Sequence, residues 1–103
     1  MLPKKVPVLG MNYKIIRKLP NNHSHENHPI LGLCDNESRF IYVKKGLSIE
    51  ESWRCFFHEF QHATDYRNGL AFTGLSADTL EMHAESNASA IYELLDHLGV
   101  WGE

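Results

Sequence analysis

The stretch from Ser48 to Gly69 constrains this chain more than any other, because it reads as one two-sided helix with both ends marked. Ser48 followed by Glu51 matches a capping box, in which each side chain satisfies an orphan amide of the first turn. Gly69 stands just past the far end, where a left-handed residue closes a helix. At about 100° per residue, Trp53, Phe56, Phe57, Phe60, Ala63 and Thr64 gather on one side. His58, His62 and Asp65 fall on the other. The spacing predicts a helix over Ile49 to about Asn68, with one face built for a core and the other for a polar site.

The remainder of the chain supplies what that helix lies on. Asn12 to Leu19 is rich in β-branched and aromatic residues and reads as a strand stopped by Pro20. Ile30 to Cys34 and Arg39 to Val43 are two more short strands, separated by the turn-forming Asp35-Asn36-Glu37-Ser38. Asp78 and Glu81 suggest a second capping pair, opening a helix that runs to about Leu98 before Gly99. Its apolar stripe is Ala84, Ala88, Ile91, Leu95 and Leu98. The expected fold is α+β: a small antiparallel sheet of about three strands, followed by two packed helices. A chain of 103 residues, 43% apolar and 22% charged, is expected to make a single domain over residues 1–103.

The same numbers exclude several classes. No apolar run approaches the roughly 20 residues that cross a bilayer, and no signal-like stretch follows Lys4 and Lys5. Two cysteines, Cys34 and Cys55, suit a reducing compartment, so a cytoplasmic location is expected. A formal charge of −3 gives no reason to expect nucleic acid as an obligatory partner. Oligomeric state leaves no signature. Histidine is the excess: seven in so short a chain.

Two of the seven fall in His58-Glu59-Phe60-Gln61-His62, the H-E-x-x-H pattern. Residues four apart share a helix face, so both imidazoles can reach one metal ion while Glu59 projects beside it. Zinc would lower the pKa of a bound water, and Glu59 would act as general base. A catalytic zinc usually takes three protein ligands. Asn68 stands where one longer form of the motif would have its third histidine. Glu85, at the edge of the second helix's stripe, is the expected third ligand, with Glu81, His83 and Cys34 as its rivals.

The H-E-F-Q-H-A string, with Glu85-Ser-Asn-Ala88 in an alanine-rich helix ending in Tyr92-Glu-Leu-Leu95, resembles the gluzincin metallopeptidases. The most similar type is the ImmA/IrrE-like group and the small H-E-x-x-H metallopeptidases of bacteria and phages. The resemblance spans Arg39 to about Leu95 and is specific at His58, Glu59, His62 and Glu85. It implies zinc ligation by His58, His62 and Glu85, with Glu59 as catalytic base. The helix-turn-helix or regulatory domains that often accompany such peptidases are not in this sequence.

The expected activity is thus zinc-dependent hydrolysis of a peptide bond in a protein substrate, lying extended along the Arg39–Val43 strand. Two other readings stay open: a catalytically silent zinc-stabilised protein-binding module, and a hydrolase of a non-peptide bond. Asp65 is expected either to orient a ligand imidazole or to make a surface ion pair. Tyr92, His83 and His97 are the candidates for stabilising an oxyanion. His23, His25 and His28 lie in a polar segment that reads as a loop.

Overall fold

The computed structural model describes residues 2–20 and 30–100, so the His23/His25/His28 segment and Trp101 lie outside it. Four strands, β1 (Lys5–Val8), β2 (Met11–Ile16), β3 (Gly32–Asp35) and β4 (Phe40–Val43), precede helices α1 (Ile49–Arg67) and α2 (Ala77–Leu98), with a short 3₁₀ turn at Leu70–Phe72 between the helices. The sheet order is β1-β2-β4-β3. β1–β2 and β3–β4 are antiparallel hairpins, and β2 pairs with β4 in parallel. The architecture is α+β, mostly antiparallel, with both helices after the sheet.

Several details differ from the sequence reading, among them β2, which ends at Ile16 rather than at Leu19 before Pro20. A fourth strand, β1, precedes the three expected. Its Lys-Val-Pro-Val run is short and carries Pro7, which an edge strand tolerates because one side of its backbone needs no ladder partner. The β1–β2 turn is Leu9-Gly10, both at positive φ (48° and 90°), the twist that two-residue hairpins favour. The sheet is not wholly antiparallel: β4 lies between β2 and β3 and runs in the same direction as β2. Finally, α2 is capped by Ser76, whose side chain accepts from the Thr79 amide, so Asp78 lies inside the first turn and the Asp78–Glu81 pair is not the cap.

The first capping box forms as expected: the Glu51 amide donates to Ser48 Oγ at 3.0 Å, and the Ser48 amide donates to Glu51 Oε1 at 3.1 Å. Val8, Tyr13, Ile41 and Val43 from the sheet meet Cys55, Phe56 and Ala63 of α1 in the core. Polar ties then fix how α1 is rotated on the sheet. Tyr13 Oη donates to Asn36 Oδ1 (2.7 Å) and accepts from Arg67 Nε (2.9 Å), while Arg67 Nη2 donates to the Asn36 carbonyl (2.8 Å). Near the other end, Arg17 Nη2 donates to Ser52 Oγ at 3.0 Å. With both ends held, the face carrying His58 and His62 is turned toward α2.

β4 is an inner strand, paired on both sides. The Arg39–Val43 segment therefore has no free edge, and a substrate cannot add to it. Among the described residues the free edges belong to β1 and β3.

Candidate metal centre

The helices run antiparallel, so residues one turn apart on α1 meet residues one turn apart on α2. Arg54 Nη1 donates to Ser89 Oγ at 2.9 Å, His58 faces Glu85 and Glu81, and Asn87 Nδ2 donates to Gln61 Oε1 at 3.1 Å. Ala84 and Ala88 are buried at this contact, where small side chains allow close approach. Glu81 and Glu85, four residues apart on α2, both reach the histidine pair.

The two histidines and Glu81 form the tight group. Nε2 of His58 and Nε2 of His62 are 3.2 Å apart. Glu81 places Oε1 2.9 Å from the first and Oε2 3.0 Å from the second. All the donor atoms lie within 4.8 Å of one another. Nitrogen ligands held tetrahedrally at about 2.0–2.1 Å from zinc lie about 3.3 Å apart, so the imidazole spacing suits such an ion. Glu85 takes a different place. Its Oε1 lies 2.8 Å from Nδ1 of His58, the ring nitrogen on the far side from His62. Of the rivals for third ligand, Glu81 joins the histidines' Nε2 atoms, and Cys34 and His83 do not. Cys34 Sγ lies 3.4 Å from Asn36 Oδ1, with its thiol pushed up to about 12 by burial. His83 Nε2 lies 3.7 Å from Asp65 Oδ1.

Glu59 is 9% exposed, between α1 and the sheet. Burial raises its pKa to about 7; the neighbouring His58 opposes that shift and Glu81 adds to it. The two imidazoles divide. His62 is pushed down, chiefly by burial. For His58 burial also acts downward, but the carboxylates of Glu59, Glu85 and Glu81 outweigh it and raise the pKa. Two imidazoles facing a carboxylate, one holding its proton more firmly and the other less, form a donor set that can exchange protons for a cation.

A pocket of about 470 Å³ opens beside the group, lined by residues 30–33 at β3, by Cys55, His58 and Glu59 of α1, and by Glu81 and Glu85 of α2. Two residues there were missed by the sequence reading. Arg54 brings a cation to the pocket wall, bound to Glu50 at 2.9 Å and stacked over Tyr92 at 5.0 Å. Its position four residues before His58 was the available signal. Gly32 is the other: a Cβ there would stand 2.5 Å from Cys55 Sγ, 2.7 Å from the Tyr42 carbonyl and 3.2 Å from Glu59 Cγ. Only glycine lets β3 close on Glu59, and single-residue spacing does not reveal that.

Asp65 is 2% exposed rather than on a solvated face, so a surface ion pair is excluded. It accepts from Gln61 Nε2 at 2.9 Å through Oδ1, and Oδ2 has no hydrogen-bond partner among the described residues. Tyr92 lies against Arg54, and His97 sits in the last turn of α2. No family model, curated protein or solved structure matches the chain. The resemblance to gluzincins therefore rests on the motif residues alone. No helix among the described residues is long and apolar enough to cross a membrane.

Proposed function

We propose that the protein is a zinc-dependent endopeptidase whose ion is held by His58 and His62 of α1 and a carboxylate of α2, Glu81 by its geometry. The observation that carries this reading is Glu59: a carboxyl buried beside the donor group, at the wall of an open pocket, with its pKa near neutrality. A purely structural site has no use for such a group. When bound, the ion would supply the positive charge that polarises a water and a carbonyl oxygen and draws Glu59 toward its ionised form.

The chain's own residues divide the remaining work. Glu59 takes the proton of the attacking water at its carboxylate oxygen and passes it to the departing amine, which a pKa near operating pH suits. Glu85 accepts from Nδ1 of His58, fixing the tautomer that leaves Nε2 free to ligate. An extended peptide adds to the free edge of β3, beside the pocket, in place of the inner strand first expected.

The test is cleavage of an unfolded protein mixture, read by mass spectrometry, for wild type and Glu59→Gln with zinc supplied. Peptide products from wild type alone, with equal zinc in both proteins, support the reading. Zinc binding without products in either protein favours a metal clamp between helices. One observation lends that second reading weight: α2 buries only Ala84 and Ala88 fully, so a cross-helix ion would add much to its attachment.

A further inference from the structure

The open face of the sheet carries a second feature, unrelated to the metal centre. Helix α1 packs on one side, where Val8, Tyr13, Ile41 and Val43 point, and α2 packs on α1. Strand alternation turns the intervening residues to the other side. The pairing register sets them in two rows: Ile16, Tyr42 and Leu33 across the sheet, and Lys5, Lys14, Phe40 and Asp35 beside them. No helix among the described residues covers these rows.

Two aromatic rings thus stand two residues apart on inner strand β4, with centroids 6.0 Å apart and planes at 89°. Lys5 and Lys14 are exposed on the same face, and exposed Lys44 continues the alternation past Val43. The net charge of −3 conceals this, because the charge is divided along the chain. Eight of the ten Lys and Arg precede residue 49, whereas ten of the thirteen Asp and Glu follow it. On the open face, Asp35 stands at the β3 edge and accepts from the Ser38 amide at 3.1 Å; Lys5 and Lys14 hold the β1–β2 side and Lys44 the end of β4.

We propose that this face binds single-stranded nucleic acid, with Phe40 and Tyr42 stacking on bases and Lys5, Lys14 and Lys44 meeting the backbone phosphates. The chemistry points there for two reasons. The two rings are 6.0 Å apart with planes nearly perpendicular, an arrangement that unstacked bases of an extended strand, turned out of parallel, can follow. Lysines beside them supply the attraction that an aromatic pair alone lacks, and a basic groove with stacking rings is the general solution for single strands. A wholly apolar partner would gain nothing from the lysines. The metal centre lies on the opposite side of the sheet, so both sites can be occupied together.

The experiment is fluorescence anisotropy of a short fluorescein-labelled oligothymidylate at low salt, with wild-type protein, with and without zinc. Binding is expected in both conditions and unchanged by Glu59→Gln, which keeps this proposal separate from the peptidase reading. Phe40→Leu or Tyr42→Leu keeps apolar packing but removes stacking, and weakens binding about tenfold. Lys5→Glu with Lys14→Glu weakens it further and flattens the salt dependence, by a log–log slope of about 0.7 for each phosphate left without a lysine. Should a leucine variant fail to fold, amide shifts on titrating wild type with the same oligonucleotide decide: shifts along β1, β2 and β4 support the proposal, and shifts confined to α1 and α2 overturn it. Absence of binding, equal binding of a duplex, indifference to the leucine variants, or self-association abolished by them would each overturn it, the last making this face a contact between copies.

Discussion

Removing one carboxylate of α2 at a time separates a ligand from a residue that orients one. Glu81 sets its two oxygens 2.9 and 3.0 Å from the Nε2 atoms of His58 and His62, whereas Glu85 meets His58 at Nδ1, at 2.8 Å. Zinc bound by four protein ligands is worth about 10–16 kcal/mol, hence about 2.5–4 kcal/mol per ligand. Glu81→Ala should therefore weaken zinc binding by roughly 10²–10³-fold or more. Glu85→Ala removes a partner of the ligand's other nitrogen, a change that costs about 10–100-fold. The assay is competition against a chromogenic zinc chelator at fixed pH, with circular dichroism to show that each variant is folded. Both carboxylates are exposed, so neither alanine leaves a buried cavity. A larger loss for Glu85→Ala than for Glu81→Ala would refute the assignment and make Glu85 the ligand, as the motif implies. No loss in either would place the ion elsewhere.

Further outcomes follow from the same geometry. In metal-free protein Glu59 binds its proton more tightly when folded than when unfolded, so stability falls as pH rises from about 4.5 through 7. Glu59→Gln should then stabilise the metal-free protein at pH 8 by up to about 3 kcal/mol and leave it unchanged at pH 4, as chemical denaturation at the two pH values would show; equal effects at both would contradict the burial argument. Gly32→Ala should destabilise the fold by about 1–3 kcal/mol, because the new methyl meets a thiol and a backbone carbonyl. An unchanged melting temperature would mean that β3 does not press on Glu59. Ser48→Ala should cost about 1 kcal/mol through the missing cap, read by the same unfolding curves, with no effect on zinc affinity.

Local chemistry made much of this legible. The capping box at Ser48 and Glu51, the aromatic side of α1 and the Asp35–Ser38 turn are set by neighbours within four residues, and all appear in the fold. The H-E-x-x-H spacing likewise brought His58 and His62 to one place. What was not legible depends on contacts distant in sequence. β1 is held by pairing with β2, and the inner position of β4 follows from where β2 and β3 lie. Asp65 lies on the polar side of α1 by helical phase, yet it is buried. The two glutamates of α2 share one face, and only the antiparallel docking of the helices sets one against the Nε2 atoms and the other against Nδ1.

Whether His58 and His62 hold one metal ion together with α2 is decided by equilibrium dialysis followed by elemental analysis. Wild-type protein dialysed against excess zinc and then against zinc-free buffer should retain about one ion per chain, and His58→Ala with His62→Ala should retain none. Zinc-free wild type, or a double variant that keeps its ion, would rule out a metal site at these two histidines.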